Sequence, residues 1–283
     1  METSLKEETV MTSTLEKKTF NRIIILTDFS EAARNAIKYA IDAFGNEVEY
    51  ELVNSYYART SSATLLDIND MLAKDSETGL AGDMEWIKEQ YPDLDLTINV
   101  LSLFGSPVDA IRKLHKNITQ DLVIMGTKGA SGIDAVLFGS TAATVIRTTV
   151  VPVISVPPSC SFKGFNEIVL TTDGSDNYGD SVFDPLEKMQ TKFGSKVTVL
   201  TIENDGKKVD LQGMDFPFEV NMYTKLQDKN IVDTIVNYCE EDNADLMVLT
   251  PQHTGFFERL FHKSISKELV TRASMPILSL ENA

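Results

Sequence analysis

The chain has 283 residues, about twice a common compact domain, so two domains are expected. Hydrophobic residues at 42% and aromatics at 8% suit a globular protein and exclude global disorder. With 26 basic against 42 acidic residues the formal net charge is −16, a surface that repels nucleic-acid phosphates and anionic lipid and so excludes a general nucleic-acid binder and a polybasic membrane protein.

The cysteines, Cys160 and Cys239, lie far apart and form no CxxC pair, which excludes a disulfide scaffold and a thiolate zinc site and fits a reducing cytoplasm. No apolar run approaches the roughly 18 residues of a membrane span. The N-terminal stretch lacks the basic-then-apolar order of a secretory signal, and residues 1–20 read as a solvated, disordered extension.

The first periodic segment, Ile23-Ile24-Ile25-Leu26, is a continuous apolar run suited to a parallel strand covered on both faces. After Thr27-Asp28-Phe29-Ser30, apolar residues at Ala33, Ala36, Ile37, Ala40, Ile41 and Phe44 recur at helical spacing, with Ser30 as N-cap and Gly45 as stop. A strand follows over Val48–Ser55, then a helix around Gly82–Gln90 and a strand over Leu96–Leu103. Ser106-Pro107 opens another helix, with Asp109 completing a capping box. A strand at Leu122–Met125, a helix over 140–148 and a strand at Val150–Val156 complete the series. This alternation implies a parallel sheet with helices on both faces.

The order then repeats. Glu167–Ser175 restates Arg22–Ser30 at an offset of 145, and Phe193-Gly194 answers Phe44-Gly45. Asp245–Leu249 answers Asp121–Met125, and Met275–Leu278 answers Val151–Ile154, both at an offset of 124. The fall from 145 to 124 means that the second copy lacks part of what lies between residues 55 and 100. The expected architecture is therefore two tandem open α/β domains, at 21–158 and 166–283, joined by a polar linker at 159–165. Each terminal strand carries a proline, Pro152 and Pro276, which belongs on a sheet edge, yet both strands are strongly apolar. Edges 149–157 and 274–280 are expected to meet in an internal pseudo-dimer; the alternative is a loop covering each edge.

The segment with chemical content runs from Met125 to Thr141. Its skeleton, G-x2-G-x9-G-S, is Gly126, Gly129, Gly139 and Ser140, directly after a buried strand and before a helix. Gly126 and Gly129 allow sharp turns and close approach to a ligand. Gly139 and Ser140 open a helix whose free N–H groups favour an anion, Ser140 and Thr141 add hydroxyls, and Lys128 adds positive charge. The plain alternative is a glycine-rich loop that needs only turn flexibility.

With these residues, and with Thr27-Asp28-Phe29-Ser30-Glu31 after the first strand, residues 21–283 resemble a tandem member of the universal stress protein family. The resemblance implies a Rossmann-like fold of the adenine-nucleotide α-hydrolase type, with ATP at the C-terminal ends of the strands and Mg²⁺ as its companion. By that resemblance Asp28 faces the adenosine end, and Thr27 and Ser55 line the adenine through backbone groups. Gly126, Lys128 and Gly129 follow the phosphates from one side and Gly139, Ser140 and Thr141 from the other. Ala142 stands where many members carry a further hydroxyl residue. For Asp28 the alternative is a helix-start residue that bonds local N–H groups.

In the second copy the three glycines become Thr250, His253 and Lys263, and only Ser264 survives. Asp173 and Ser175 remain, but side chains at the glycine positions block backbone approach, so no ATP is expected there. His253 and His262 have no third ligand and make no zinc site; the aromatic run Phe256–Phe261 is read as packing rather than docking surface. His115 reads as a charge complementing a helix C-terminus.

The expected function is a cytoplasmic stress-response or regulatory protein that binds ATP in its first domain, the second being a structural or interaction partner, with a homodimer of whole chains left open. The alternatives are a slow ATPase on the same site and a non-nucleotide scaffold. An adenylating enzyme is disfavoured, since Thr27-Asp28-Phe29-Ser30 replaces its Ser-Gly-Gly-x-Asp-Ser loop. No residue is assigned a catalytic role, since no Glu, Asp or His is clearly placed to orient water at a γ-phosphate.

Overall fold

The computed structural model describes residues 19–57, 65–117, 122–127, 139–148, 151–172, 181–203, 211, 214–228, 230–249 and 275–280. In chain order its elements are β1 (Arg22–Leu26), α1 (Glu31–Phe44), β2 (Glu49–Tyr56), α2 (Leu65–Gln90), β3 (Thr97–Phe104), α3 (Pro107–Asn117), β4 (Leu122–Gly126), α4 (Ser140–Thr148) and β5 (Val153–Val156). They continue as β6 (Glu167–Thr171), α5 (Asp184–Phe193), β7 (Lys196–Glu203), β8 (Val220–Leu226), α6 (Ile231–Glu241), β9 (Leu246–Leu249) and β10 (Ile277–Ser279).

The strands form one open α/β sheet in the order β3-β2-β1-β4-β5-β10-β9-β6-β7-β8. Neighbours run parallel except β5 and β10, which pair antiparallel with Ile277 opposite Ser155 and Ser279 opposite Val153. The β5–β10 contact uses 153–155 and 277–279, a shorter stretch than the apolar segments of the sequence. Pro152 and Pro276 sit just before these strands, and their carbonyls accept the N–H groups of Val123 at 2.8 Å and Met247 at 3.1 Å. A proline has no N–H to give to the ladder, so pairing begins one residue later.

Both faces of the sheet are covered. On one, Ile23, Ile25, Leu52 and Ile124 pack under residues of α1, α2 and α5; on the other, Ile24, Leu26, Val53 and Val123 pack under residues of α3, α4 and α6. This is why β1 reads as an unbroken isoleucine run: each face needs an apolar side chain, and each full burial contributes about 1.5–3 kcal/mol.

Helix starts follow their caps. Ser30 Oγ accepts from Ala33 N–H, and Gly45, at φ 60°, ends α1. Ser106 Oγ accepts the Asp109 N–H at 3.2 Å while Asp109 Oδ2 accepts the Ser106 N–H at 3.1 Å, the reciprocal box expected for α3.

Three expectations need correction. The helix placed around Gly82–Gln90 begins at Leu65 and spans 26 residues. Its buried positions include Ser76, Leu80, Asp83 and Ile87, so two polar residues break the apolar period that would have revealed it. Phe20, assigned to the disordered extension, is 3% exposed and packs edge-on against Phe44 at 5.1 Å. The polar linker is anchored: Phe165 is wholly buried, with rings of Phe193 at 5.0 Å and Phe162 at 5.1 Å, and Asn35 donates to the carbonyls of Pro157 and Cys160. Edge-to-face pairs of this kind each add about 0.5–1.5 kcal/mol beyond burial. Among the described residues no helix lies between β7 and β8, whereas α2 lies between β2 and β3.

Candidate functional site

From β1 the strand order runs to β2 and β3 in one direction and to β4 and β5 in the other. Chains leaving β1 and β4 therefore diverge to opposite faces of the sheet and open a crevice at their C-terminal ends, the place where open α/β sheets bind ligands. A cavity of about 480 Å³ lies there. One wall is Leu26, Thr27, Asp28 and Ala33; a second is Val53, Asn54, Ser55 and Tyr57 after β2; the third is Met125, Gly126 and Thr127, facing Gly139, Ser140, Thr141 and Ala142 at the start of α4. Pro107 of α3 closes one side. Seven of the nine residues expected in the site thus share one cavity; Lys128 and Gly129 lie outside the described residues.

The turn from β1 to α1 is built by local hydrogen bonds. Phe29 has φ 67°, the left-handed region, which costs a non-glycine residue about 1–2 kcal/mol. It is held there because its N–H donates to Thr27 Oγ1 at 3.0 Å and its ring fills the space where a Cβ on Gly79 would sit. Thr27 Oγ1 in turn donates to Asp83 Oδ2 at 2.7 Å, and Asp83 Oδ1 accepts Arg34 Nε at 2.9 Å. Asp28 Oδ1 accepts both the N–H and the hydroxyl of Ser30, at 3.2 and 2.6 Å. Asp28 thus lines the cavity and also organises the helix start. Thr27 lines it with its backbone already engaged: its N–H donates to Val53 O at 2.9 Å and its carbonyl accepts Asn54 Nδ2 at 2.7 Å.

On the opposite wall, Gly126 is required by packing. A Cβ there would stand 2.9 Å from the Ala32 carbonyl oxygen of α1. The role read from sequence, room for a ligand, is joined by room for a helix backbone. The Gly139 N–H donates to Thr127 O at 2.7 Å, so this amide closes the loop rather than facing the cavity. The first helical bond of α4 runs from Ala143 N–H to Gly139 O at 3.1 Å, which puts the amides of Ser140, Thr141 and Ala142 ahead of the helical ladder, with the exposed Ser140 and Thr141 side chains beside them.

Sequence reasoning missed Asn54, Tyr57, Pro107 and Thr127. Asn54 had a signal, a polar residue breaking an apolar strand. Thr127 had only its place within the glycine skeleton. It is 1% exposed, and its hydroxyl has no hydrogen-bond partner among the described residues. The donors fit an anionic group at this end: helix-start amides and hydroxyls, with no carboxylate among the described lining residues there. Asp28 supplies the carboxylate at the far wall, where a ribose or base hydroxyl or amine would be accepted. Among the described residues no group of three His, Cys, Asp or Glu is placed to hold a metal ion. None of the described helices is long and apolar enough to cross a membrane. The equivalent loop of the second copy, including His253, His262 and Phe256–Phe261, and the residues Asp173 and Ser175 lie outside the described residues.

Residues 19–157 match the model of the Universal stress protein family. Universal stress protein MJ0531 of Methanocaldococcus jannaschii is 27% identical over 144 residues, covering 48% of this chain and 82% of that protein. Universal stress protein MJ0577 of the same organism is 25% identical over 154 residues, covering 48% of this chain and 94% of its own. The crystal structure of a universal stress protein from Archaeoglobus fulgidus aligns with a TM-score of 0.68 over 93% of this chain and 99% of that one, at 17% identity, a likeness of fold. Residues 19–157, just under half of the chain, are thus the part that matches the universal stress protein family.

Proposed function

We propose that this protein is a regulatory nucleotide binder that takes ATP in the cavity between β1 and β4. The observation that carries this reading is the cavity itself: about 480 Å³ at the point where strand order reverses, with a carboxylate at one wall and a helix N-terminus with hydroxyls at the other. The volume lies within the range of small-molecule sites. Base and ribose would lie toward Asp28 and Ser55, and phosphates toward Gly126, Ser140 and Thr141, with Lys128 and Gly129 contributing from the intervening loop. Mg²⁺ would arrive with the triphosphate, coordinated chiefly by its oxygens.

In the same reading the chain is a tandem duplication, with domains at 21–158 and 166–283 that meet through β5 and β10 as an internal pseudo-dimer. The antiparallel pairing of those strands and the sheet order on either side of them support this. The second domain, lacking the glycines, serves as structural or interaction partner. A cytoplasmic stress-response role follows from the family and the cysteine usage.

Mg·ATP at 100 times its Kd should stabilise the protein by about 2.7 kcal/mol at one site per chain. A melting curve unmoved by saturating Mg·ATP would remove the reading. Mass spectrometry of whatever co-elutes from a preparation without added nucleotide tests it independently. Asp28, whose Oδ1 is held by Ser30, is the one carboxylate among the described lining residues, so multiple-turnover phosphate release should stay below roughly 1 s⁻¹.

A further inference from the structure

We propose that a second cavity, where the segment between β5 and β6 meets the turn from α6 to β9, binds a small zwitterion: an α-amino acid with a short aliphatic side chain. It is separate from the cavity between β1 and β4 and stands whether or not a nucleotide binds there. Its volume is about 540 Å³, within the range of small-molecule sites. One wall is Ser159, Cys160, Ser161 and Lys163; the facing wall is Glu240, Asn243 and Asp245. Tyr39 of α1, with Met275 and Pro276 ahead of β10, adds apolar surface.

Three polar groups of this cavity are available to a ligand. Tyr39 is 2% exposed, its ring held edge-on by Phe162 at 5.4 Å and Phe165 at 6.1 Å. Its hydroxyl makes no hydrogen bond among the described residues and, unlike that of Ser279, is not sealed from water. Asp245 is anchored through one oxygen: Oδ2 accepts the Asn166 N–H at 2.7 Å, the Glu167 N–H at 3.1 Å and Asn166 Nδ2 at 3.2 Å, leaving Oδ1 to accept from elsewhere. Lys163 is exposed, and the ion pairs among the described residues include neither it nor Asp245 nor Glu240.

These groups nonetheless bear on one place. Burial pushes the Cys160 thiol up to about 11, with Lys163 opposing the rise and Asp245 adding to it. Burial, followed by Cys160 and Asp245, also raises the Tyr39 hydroxyl above its ordinary value, so it stays a proton donor. A lone anion in this space meets Asp245 and Glu240, and a lone cation meets Lys163. A molecule with both charges complements both walls. Its ammonium donates to Asp245 Oδ1 near the negative end of α6, whose last turn has no basic residue, and its carboxylate accepts from Lys163 and Tyr39.

The experiment is titration calorimetry of the full chain with L-leucine and L-methionine, and with isoamylamine and isocaproate, which each keep one of leucine's two charges. One site per chain should take at least one of the amino acids, about tenfold or more tightly than either single-charge analogue. Lys163→Gln and Tyr39→Phe should each weaken that binding roughly tenfold, the scale of one hydrogen bond to a charged group, without lowering the ligand-free melting temperature. Should Tyr39→Phe fail to fold, Lys163→Gln decides, since its side chain is exposed. No binding of either amino acid at millimolar concentration overturns the proposal. So does equal affinity for a single-charge analogue, or amino-acid binding that either folded variant leaves unmoved.

Discussion

The hydroxyl of Thr27 donates to the carboxylate of Asp83 at 2.7 Å, joining the cavity wall to a helix 56 residues further along the chain. Asp83 is fully buried and also accepts Arg34 Nε, while the Arg34 guanidinium lies 5.6 Å over the Trp86 ring. The turn that presents Asp28 is therefore held from outside the site, by α2. Asp83→Ala should cost about 2–4 kcal/mol in chemical denaturation, below the extreme for buried pairs because Arg34 is 39% exposed and can rehydrate. A double-mutant cycle with Thr27→Val should show coupling of about 1 kcal/mol, the scale of one net hydrogen bond. Additive losses would mean that the two side chains act independently.

Gly126 faces α1 as closely as it faces the cavity. Gly126→Ala places a methyl 2.9 Å from the Ala32 carbonyl oxygen, a backbone atom that cannot swing aside. The expected effect is a destabilisation of about 1–3 kcal/mol without ligand, read by thermal melting. A variant as stable as the parent would show that α1 moves freely at this contact. Gly126 is thus a poor position for testing ligand binding, and Ser140 or Thr141 serves better.

The capping box of α3 should give a pH signature. The side-chain and then the backbone hydrogen bond from Ser106 hold the Asp109 carboxyl below its ordinary value of 3.8. A carboxylate with a lowered folded pKa contributes stability above the ordinary value and loses it as pH falls through the folded one. The difference in melting temperature between the parent and Asp109→Ala should accordingly be full at pH 7 and shrink below about pH 4. A constant difference across that window would mean that the charge is irrelevant to the cap.

The two thiols should be silent in the native protein. Burial pushes Cys160 up to about 11, and burial, followed by Asp242, pushes Cys239 up to about 12. At pH 8 almost no thiolate is present at either, and both side chains are buried. A disulfide reagent should react with neither on the timescale of minutes and with both in denaturant. Prompt native-state labelling of Cys160 would show that the joint at 159–165 opens.

Most of the fold was legible because its signals are local. The isoleucines of β1, the caps at Ser30 and Ser106 and the stop at Gly45 each act within a few residues, and the repeat of strand and helix implied the parallel sheet. What failed was longer in range. The first seventeen residues of α2 were hidden because Ser76 and Asp83 occupy core-facing positions, and Phe20 was given to a solvated tail because its partner Phe44 lies a full helix away.

The α/β class, the succession of elements and the glycine skeleton of one loop could be read along the chain, since spacing, turn chemistry and apolar periodicity are written residue by residue. Three-dimensional packing was needed to show that Gly126 answers to a helix backbone as well as a cavity, that Gly139 spends its amide on the Thr127 carbonyl, and that Thr127 keeps a buried hydroxyl without a partner among the described residues. These depend on which atoms distant segments bring within about 3 Å of one another, a distance that no spacing along the chain encodes.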